Sequence, residues 1–364
     1  MGYVAVRGGE DAIRHSERLL EAFRRREGHP GIQVAQIREQ MRLAVDRAMA
    51  EGSLYSPTLA ALALKQAEGD MVEAAFLLRA YRSTLPRVQT TPTLRPAAMR
   101  LVRRISAAFK DIPGGQILGP TRDYTQRLLD FSLLDEEERT DASLSPMSGE
   151  ATNGAAPPER VSTYLRREGL LPDLPGDVEP PVDITRDAVA FPMPRSARLQ
   201  ALARGEEGAL LALAYSSMRG FGNVHPTVAE LRVGYLAVQV TIPGLETPVT
   251  IGEILVTEVE LISRWDADDA EGNAGTQFRL GYGFAFGHNE RRTICMAILD
   301  RAMQAAAPHA PAEDQEFVIQ HIDGIEAQGF TNHWKLPHYV DFQSELDRLR
   351  AKRRAAATPA EAKP

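Results

Sequence analysis

One cysteine in 364 residues is the first constraint on this chain. Cys295 has no second thiol to join, so an intrachain disulfide framework, a CxxC motif and a thiolate-held cluster are all excluded. Long apolar runs are also missing. The nearest, ALLALAY (209–215), is far shorter than the roughly 20 residues a spanning helix needs. The opening MGYVAVRGGEDAIRHSERLL scatters charges among its apolar residues and has no continuous apolar core of the signal-peptide kind. These absences read together as a soluble, cytoplasmic protein in a reducing environment. An excess of positive charge is absent too. With 42 Lys+Arg against 49 Asp+Glu the net charge is −7, which argues against general nucleic-acid coating but leaves room for a local polyphosphate pocket. No G-x-x-x-x-G-K-[ST] pattern occurs, so a P-loop is excluded.

Hydrophobic residues make up 43% of the chain, enough for a substantial core. Residues 3–7 (YVAVR) read as a short strand, followed by a helix over 10–26. Val34, Ile37, Met41, Val45 and Met49 keep near-helical spacing and predict one amphipathic helix over 34–51. Two more helices fit 57–68 and 71–83; Asp70 with Glu73 marks the start of the latter. Composition shifts over 135–195, where Pro, Gly, Ser and acids dominate around one or two helical turns near 160–168. Helices at 196–204 and 206–217 then lead into strands at 231–242, 249–262 and 278–287. Further helices are expected at 289–305, 313–328 and 341–354.

The fold class is therefore α+β: a mainly helical N-terminal region, then a mixed α/β region with a small, mostly antiparallel sheet. The expected divisions are 1–134, carrying a Gly-rich loop; a linker or insertion, 135–195; an α/β region, 196–354; and a frayed tail, 355–364.

Four segments could carry chemistry. In KDIPGGQILGPTRDYTQRLLDF (110–131), Gly114, Gly115 and Gly119 open the backbone, and Thr121 is placed to cap a following helix. A glycine loop entering a helix offers free N–H groups to an anion, with Lys110 and Arg122 adding charge. The plainer alternative is a loop entering a surface helix. In RLGYGFAFGHNERR (279–292) the glycines follow G-x-G-x-x-x-G, one residue too long for a dinucleotide fingerprint. Lying inside a strand, they suit a bulge or close packing better than cofactor approach, and Asn289 suits a helix cap. SSMRGFGNVHP (216–226) fits either a polar connection or a binding loop at the sheet edge. Finally, HWKLPHYVDF (333–342) spaces His333 and His338 at i, i+5, while Pro337 forces Leu336 out of helical conformation. The pair belongs to a turn. Either it is simply packed before the last helix, or it supplies half of a metal shell completed by water, substrate or another chain.

Beyond spacing, several ordered segments carry a resemblance: MGYVAVRGGEDAI, LAVDRAMAEG, LAALALKQAEGDMVEAAFLLRAYRSTL, RRISAAFKDIPGGQILGPTRDYTQRLLDF, LLALAYSSMRGFGNVHP and FTNHWKLPHYVDFQSEL. Together they resemble the PhnI family, core subunits of the bacterial carbon–phosphorus lyase machinery. The resemblance weakens mainly in 135–195 and around 264–276.

It implies a transferase step in which an alkylphosphonate displaces adenine from MgATP, giving α-D-ribose 1-methylphosphonate 5-triphosphate. It also implies purine nucleosidase activity by the chain alone, with Mg2+ entering as MgATP. The partners implied are PhnG, PhnH, PhnJ, PhnK and PhnL. The family's histidine pair, a Zn2+ site near PhnJ, maps onto His333 and His338. Radical carbon–phosphorus cleavage needs several thiolates and falls to another subunit.

Breaking a ribose–purine bond builds positive charge at C1′ and negative charge on the base, so it calls for an anionic partner, a proton donor and cations for the triphosphate. From the loop's chemistry, and not from the resemblance, Asp123 is the candidate catalytic group. Lys110, Gly114, Gly115, Arg122 and Tyr124 are the candidate substrate-binding residues. The competing reading is a non-catalytic scaffold lending a zinc half-site to a partner. A stand-alone metallohydrolase is disfavoured by the lack of HExxH spacing.

Overall fold

The computed structural model describes residues 9–28, 30–134, 158–173, 181–221, 225–263, 277–305 and 307–357. The expected strand at 3–7, about half of the 135–195 linker (135–157 and 174–180) and the last residues of the tail lie outside these. Two compact units emerge, one formed by 1–33 with 324–364 and the other by 34–323.

Helix α1 (Glu10–Arg24) opens with Glu10 and Asp11 and closes with Arg24, charges matched to the helix dipole, and buries none of its residues. The larger unit begins with α2 (Val34–Gln40) and α3 (Arg42–Gly52). The single helix expected over 34–51 is thus broken at Met41, whose φ of −106° and ψ of 40° leave the helical region. The break lets α2 lie on α4 (Pro57–Gln66) while α3 crosses both α4 and α5 (Met71–Ser83). Ala48, Ala60, Ala61 and Ala74 are fully buried among these helices, and small side chains permit that close approach. Ser56 caps α4 through Leu59 N–H at 3.3 Å. Asp70 caps α5 through the N–H groups of Val72 and Glu73 at 3.0 and 3.2 Å, as its spacing predicts.

The sheet comprises β1 (Arg100–Ile105), β2 (Thr227–Val240), β3 (Val249–Ser263) and β4 (Arg279–Phe286), in that order and antiparallel throughout. Between β1 and β2 the chain forms α6 (Val161–Arg167), α7 (Arg195–Arg204) and α8 (Glu207–Ser216). Helix α9 (Glu290–Ala302) follows β4 and packs against it, with Cys295, Met296, Ala297 and Leu299 in the main core. Gly281 and Gly283 make this fit possible. A Cβ there would lie 2.0 Å from Ala297 O and 2.1 Å from Thr293 O. The strand glycines are packing devices, as their position inside a strand suggested.

Helix α10 (Gln315–His321) ends where the Ile322 carbonyl accepts from Glu206 N–H at 2.6 Å. The one helix expected over 313–328 is consequently two. In the smaller unit, α11 (Gly324–His333) and α12 (Tyr339–Ala357) flank the proline turn. The class is α+β: a helical N-terminal region followed by a mixed region with a small antiparallel sheet.

Candidate functional site

The glycine loop is built differently from its expectation. Ile112 to Gly115 form a turn closed by Gly115 N–H to Ile112 O at 2.8 Å, with Pro113 second and Gly114, at φ 81°, third. The loop then returns to the sheet edge, where Arg104 and Ile117 exchange backbone hydrogen bonds of 2.8 and 2.7 Å. Gly119 passes so close to β1 that a Cβ would sit 2.6 Å from Val102 O.

No helix follows. The Thr121 hydroxyl accepts from Asp123 N–H at 3.1 Å, the Arg122 carbonyl accepts from Thr125 N–H at 3.0 Å, and Arg127 takes a left-handed φ of 57°. The apolar run Leu128, Leu129, Phe131, Leu133 and Leu134 stays exposed, and a short helix without a buried face is marginal. The expected helix N-terminus is therefore corrected to a chain of turns, and it offers no helix-dipole cradle for an anion.

Lys110, Gly114, Gly115, Arg122, Asp123 and Tyr124 are all exposed on this loop. The charged ends of Lys110 and Arg122 have no hydrogen bond or ion pair among the described residues. Asp123 is the fixed member. Its carboxylate accepts from Arg103 and has Arg127 at 3.7 Å.

Arg103 opens onto a cluster that the sequence did not reveal. A bulge between Leu101 and Arg103 in β1 helps set the sheet faces that Arg103 and Arg104 occupy, both fully buried. The Arg103 Nη1 donates to Leu118 O at 2.5 Å, and its Nε lies 2.7 Å from Glu290 Oε1. Glu290 heads α9, where an acid suits the helix dipole. The same oxygen is 2.6 Å from His288 Nε2, and His288 Nδ1 is 2.9 Å from Arg42 Nη1.

Asp46 anchors this turn from α3. Its Oδ2 accepts from His288 N–H at 3.0 Å, and its backbone carbonyl accepts from Asn289 Nδ2 at 3.0 Å. Burial raises the Asp46 pKa; the backbone hydrogen bond from His288 and the charge of Arg42 oppose the rise. Asn289 stands at the N-cap position, but its side chain makes no cap, donating instead to Asp46 O and Phe286 O. The run of ring, acid and guanidinium from Arg42 to Asp123 ends at solvent on Asp123. The available sequence signal was the density of ionisable groups in HNERR and RLVRR.

The opposite sheet face holds a second buried network. Glu230 accepts from Arg104 at 2.6 Å. Arg160 reaches Glu258 and Glu260 at 2.8 Å each, and Tyr282 donates to Glu258 at 2.9 Å. Every charge in it faces a neighbour of opposite sign, the arrangement burial demands. Cys295 is buried, and burial pushes its thiol up to about 11.

In the smaller unit, His333 closes α11 and His338 immediately precedes α12, with their ring centroids 5.3 Å apart. Each Nδ1 points at a backbone carbonyl: His333 at Phe330 O, 2.5 Å, and His338 at Leu336 O, 2.6 Å. A carbonyl only accepts, so Nδ1 carries a proton on both rings, which in the neutral imidazole leaves Nε2 as the acceptor. Trp334 stacks on His338 with centroids 5.6 Å apart and planes 22° from parallel. Such backbone-oriented imidazoles are prepared to ligate through Nε2. Among the described residues no group of three or more His, Cys, Asp or Glu side chains comes together to hold a metal.

Known proteins align along nearly the whole chain. A family model described as bacterial phosphonate metabolism protein (PhnI) matches residues 2–356. HtxH of Stutzerimonas stutzeri is 49% identical over 368 residues, covering 99% of this chain and 98% of that protein. The alpha-D-ribose 1-methylphosphonate 5-triphosphate synthase subunit PhnI of Rhizobium meliloti (strain 1021) is 49% identical over 362 residues, 97% of this chain and 95% of its own length. The subunit of the same name from Escherichia coli (strain K12) is 49% identical over 353 residues, covering 96% and 97%. Matched from end to end, the chain belongs to the PhnI family, core subunits of the carbon–phosphorus lyase system of bacterial phosphonate metabolism.

Proposed function

We propose that the chain is the subunit that replaces the adenine of MgATP with an alkylphosphonate, forming α-D-ribose 1-methylphosphonate 5-triphosphate, and that it releases purine as a nucleosidase when alone. The observation carrying this reading is the full-length, 49% identity to two proteins named as subunits of that synthase. In the reaction the C1′–N9 bond breaks, its electron pair leaves with the base, and a phosphonate oxygen bonds to C1′; water takes that place in the nucleosidase reaction.

Asp123 supplies the negative charge facing C1′, held at the protein surface by buried Arg103. Lys110 and Arg122, on the same loop and without partners among the described residues, gather phosphate oxygens. The glycine turn at Gly114 and Gly115 gives the substrate backbone access, and Tyr124, 70% exposed, is available to the base or sugar.

A second reading concerns the histidine turn. His333 and His338 would hold Zn2+ through their free Nε2 atoms, and a docked neighbour, PhnJ in this reading, would finish the shell. When bound, the ion supplies Lewis-acid charge for substrate oxygens. PhnG, PhnH, PhnK and PhnL complete the proposed cytoplasmic assembly. No helix among the described residues is long and apolar enough to cross a membrane.

The deciding experiment incubates the purified chain with MgATP and follows free adenine, then adds PhnG, PhnH, PhnL and methylphosphonate. Adenine release, redirected from hydrolysis to the phosphonate product by the partners, is expected. No base release above buffer in either mixture removes the catalytic reading and leaves the scaffold.

A further inference from the structure

Helices α3, α5 and α7 end around an open recess of about 250 Å³, whose polar lining includes Ser53, Arg82, Arg87, Asp183, Thr185 and Arg204. Four arginines crowd this part of the larger unit, and two of them are accounted for. Arg79 donates to both carboxylate oxygens of Asp323, at 3.1 and 2.8 Å, and to the Glu51 and Arg204 carbonyls at 2.9 and 2.8 Å. Arg87 pairs with Asp183 at 2.5 Å and Thr185 at 3.0 Å. The guanidinium groups of Arg82 and Arg204 have no hydrogen bond or ion pair among the described residues. Moreover, Arg204 Nε and Ser53 Oγ are both sealed from solvent with no hydrogen-bond partner among the described residues.

A basic residue in a last helical turn suits the dipole, and Arg82 and Arg204 both stand there. That explains a guanidinium kept in water. It does not explain a donor nitrogen buried without an acceptor, which costs the full desolvation of the group. Burial, then the positive charges of Arg79 and Arg82, push the Arg204 pKa down against the weaker pull of Asp323 and Asp183.

We infer that this recess is an oxyanion site, taking a phosphate or phosphonate group between Arg82 and Arg204 with the Ser53 hydroxyl as a further donor. A tetrahedral dianion matches the fork of a guanidinium and balances the two charges that have no ion pair among the described residues. None of these residues lies on the glycine loop or the histidine turn, so the inference stands apart from the transferase reading.

The test is the melting temperature of the full-length chain at fixed ionic strength, titrated in parallel with sodium phosphate, methylphosphonate, MgATP, and acetate as control. A rise of about 2–4 °C is expected near saturation with phosphate-type anions and none with acetate. Arg204→Gln and Arg82→Gln should each weaken the response about tenfold or more, and Ser53→Ala a few-fold. Arg204→Gln removes a half-buried charge that has no ion pair among the described residues, so it should fold at least as stably without ligand; Arg82→Gln, also half-buried, gives an independent probe. Equal response to phosphate and methylphosphonate identifies a free anion as ligand, whereas response to MgATP alone assigns the site to a nucleotide's phosphates. A rise matched by acetate, or one retained in full by both arginine variants, overturns the inference.

Discussion

His288 sits between partners of opposite kind, with Arg42 Nη1 2.9 Å from its Nδ1 and Glu290 Oε1 2.6 Å from its Nε2. Arginine has only donors to offer, so Nδ1 accepts and Nε2 carries the proton. The ring thereby links α3 to the head of α9 and keeps Glu290 beside Arg103. Nitrogen-15 spectra at pH 7 should show a single protonated ring nitrogen, Nε2. A doubly protonated ring, or a proton on Nδ1, would contradict this geometry.

Asp123 is 43% exposed, so its removal should leave the fold almost intact while removing the charge proposed to face C1′. Asp123→Asn is expected to slow adenine release by about a hundredfold, with thermal stability changed by less than about 1 kcal/mol. Rates equal to those of the unaltered chain would take Asp123 out of the mechanism.

Glu230 and Arg104 form a pair in which the side chains are 2% and 0% exposed. Glu230 also accepts from the Val161 N–H at 2.9 Å, so it holds α6 on the sheet as well. Glu230→Gln leaves a buried guanidinium without its counter-charge and should cost about 3–5 kcal/mol, read as a lowered urea midpoint. A double substitution, Glu230→Leu with Arg104→Met, should cost markedly less, because no charge is stranded.

Two glycines of the sheet make opposite forecasts. At Gly283 a Cβ would collide with Thr293 O at 2.1 Å, whereas at Gly252 nothing lies within 4 Å. Gly283→Ala forces α9 away from β4 and should destabilise by about 3 kcal/mol, while Gly252→Ala should stay within about 0.5 kcal/mol. Similar denaturation midpoints for both variants would show that α9 does not rest on that strand.

For the histidine turn, metal content separates ligand from ornament. His333→Ala and His338→Ala should each lower the zinc bound to the assembled complex while leaving adenine release by the isolated chain unchanged. Undiminished zinc in both variants would return the pair to a packed turn.

Local chemistry was readable where one residue settles the backbone. Asp70 announced α5, Pro337 put the histidines in a turn, and glycines inside a strand indicated close packing. The same reasoning misplaced a helix after Thr121, because capping chemistry is present there while the apolar residues that follow find no buried face. It also ran α2 and α3 together, since periodicity across Met41 continues through a bend demanded by packing on two different helices. The cluster behind Asp123 was out of reach for a different reason. Its polar contacts join residues 20 and 246 positions apart, and no local pattern encodes a partner at that separation.

The sequence by itself determined the α+β class, the lack of thiolate chemistry, the proline turn with its two imidazoles, and, through ordered whole-chain similarity, the family. Only the tertiary structure decided which charges are buried together, that Asp123 is steered by Arg103, and that Arg82 and Arg204 stand around a recess without an ion pair among the described residues. The physical reason is one of range. Backbone preference and capping act over a few residues, whereas the cost of burying a charge is set by whatever the fold brings within a few ångströms of it.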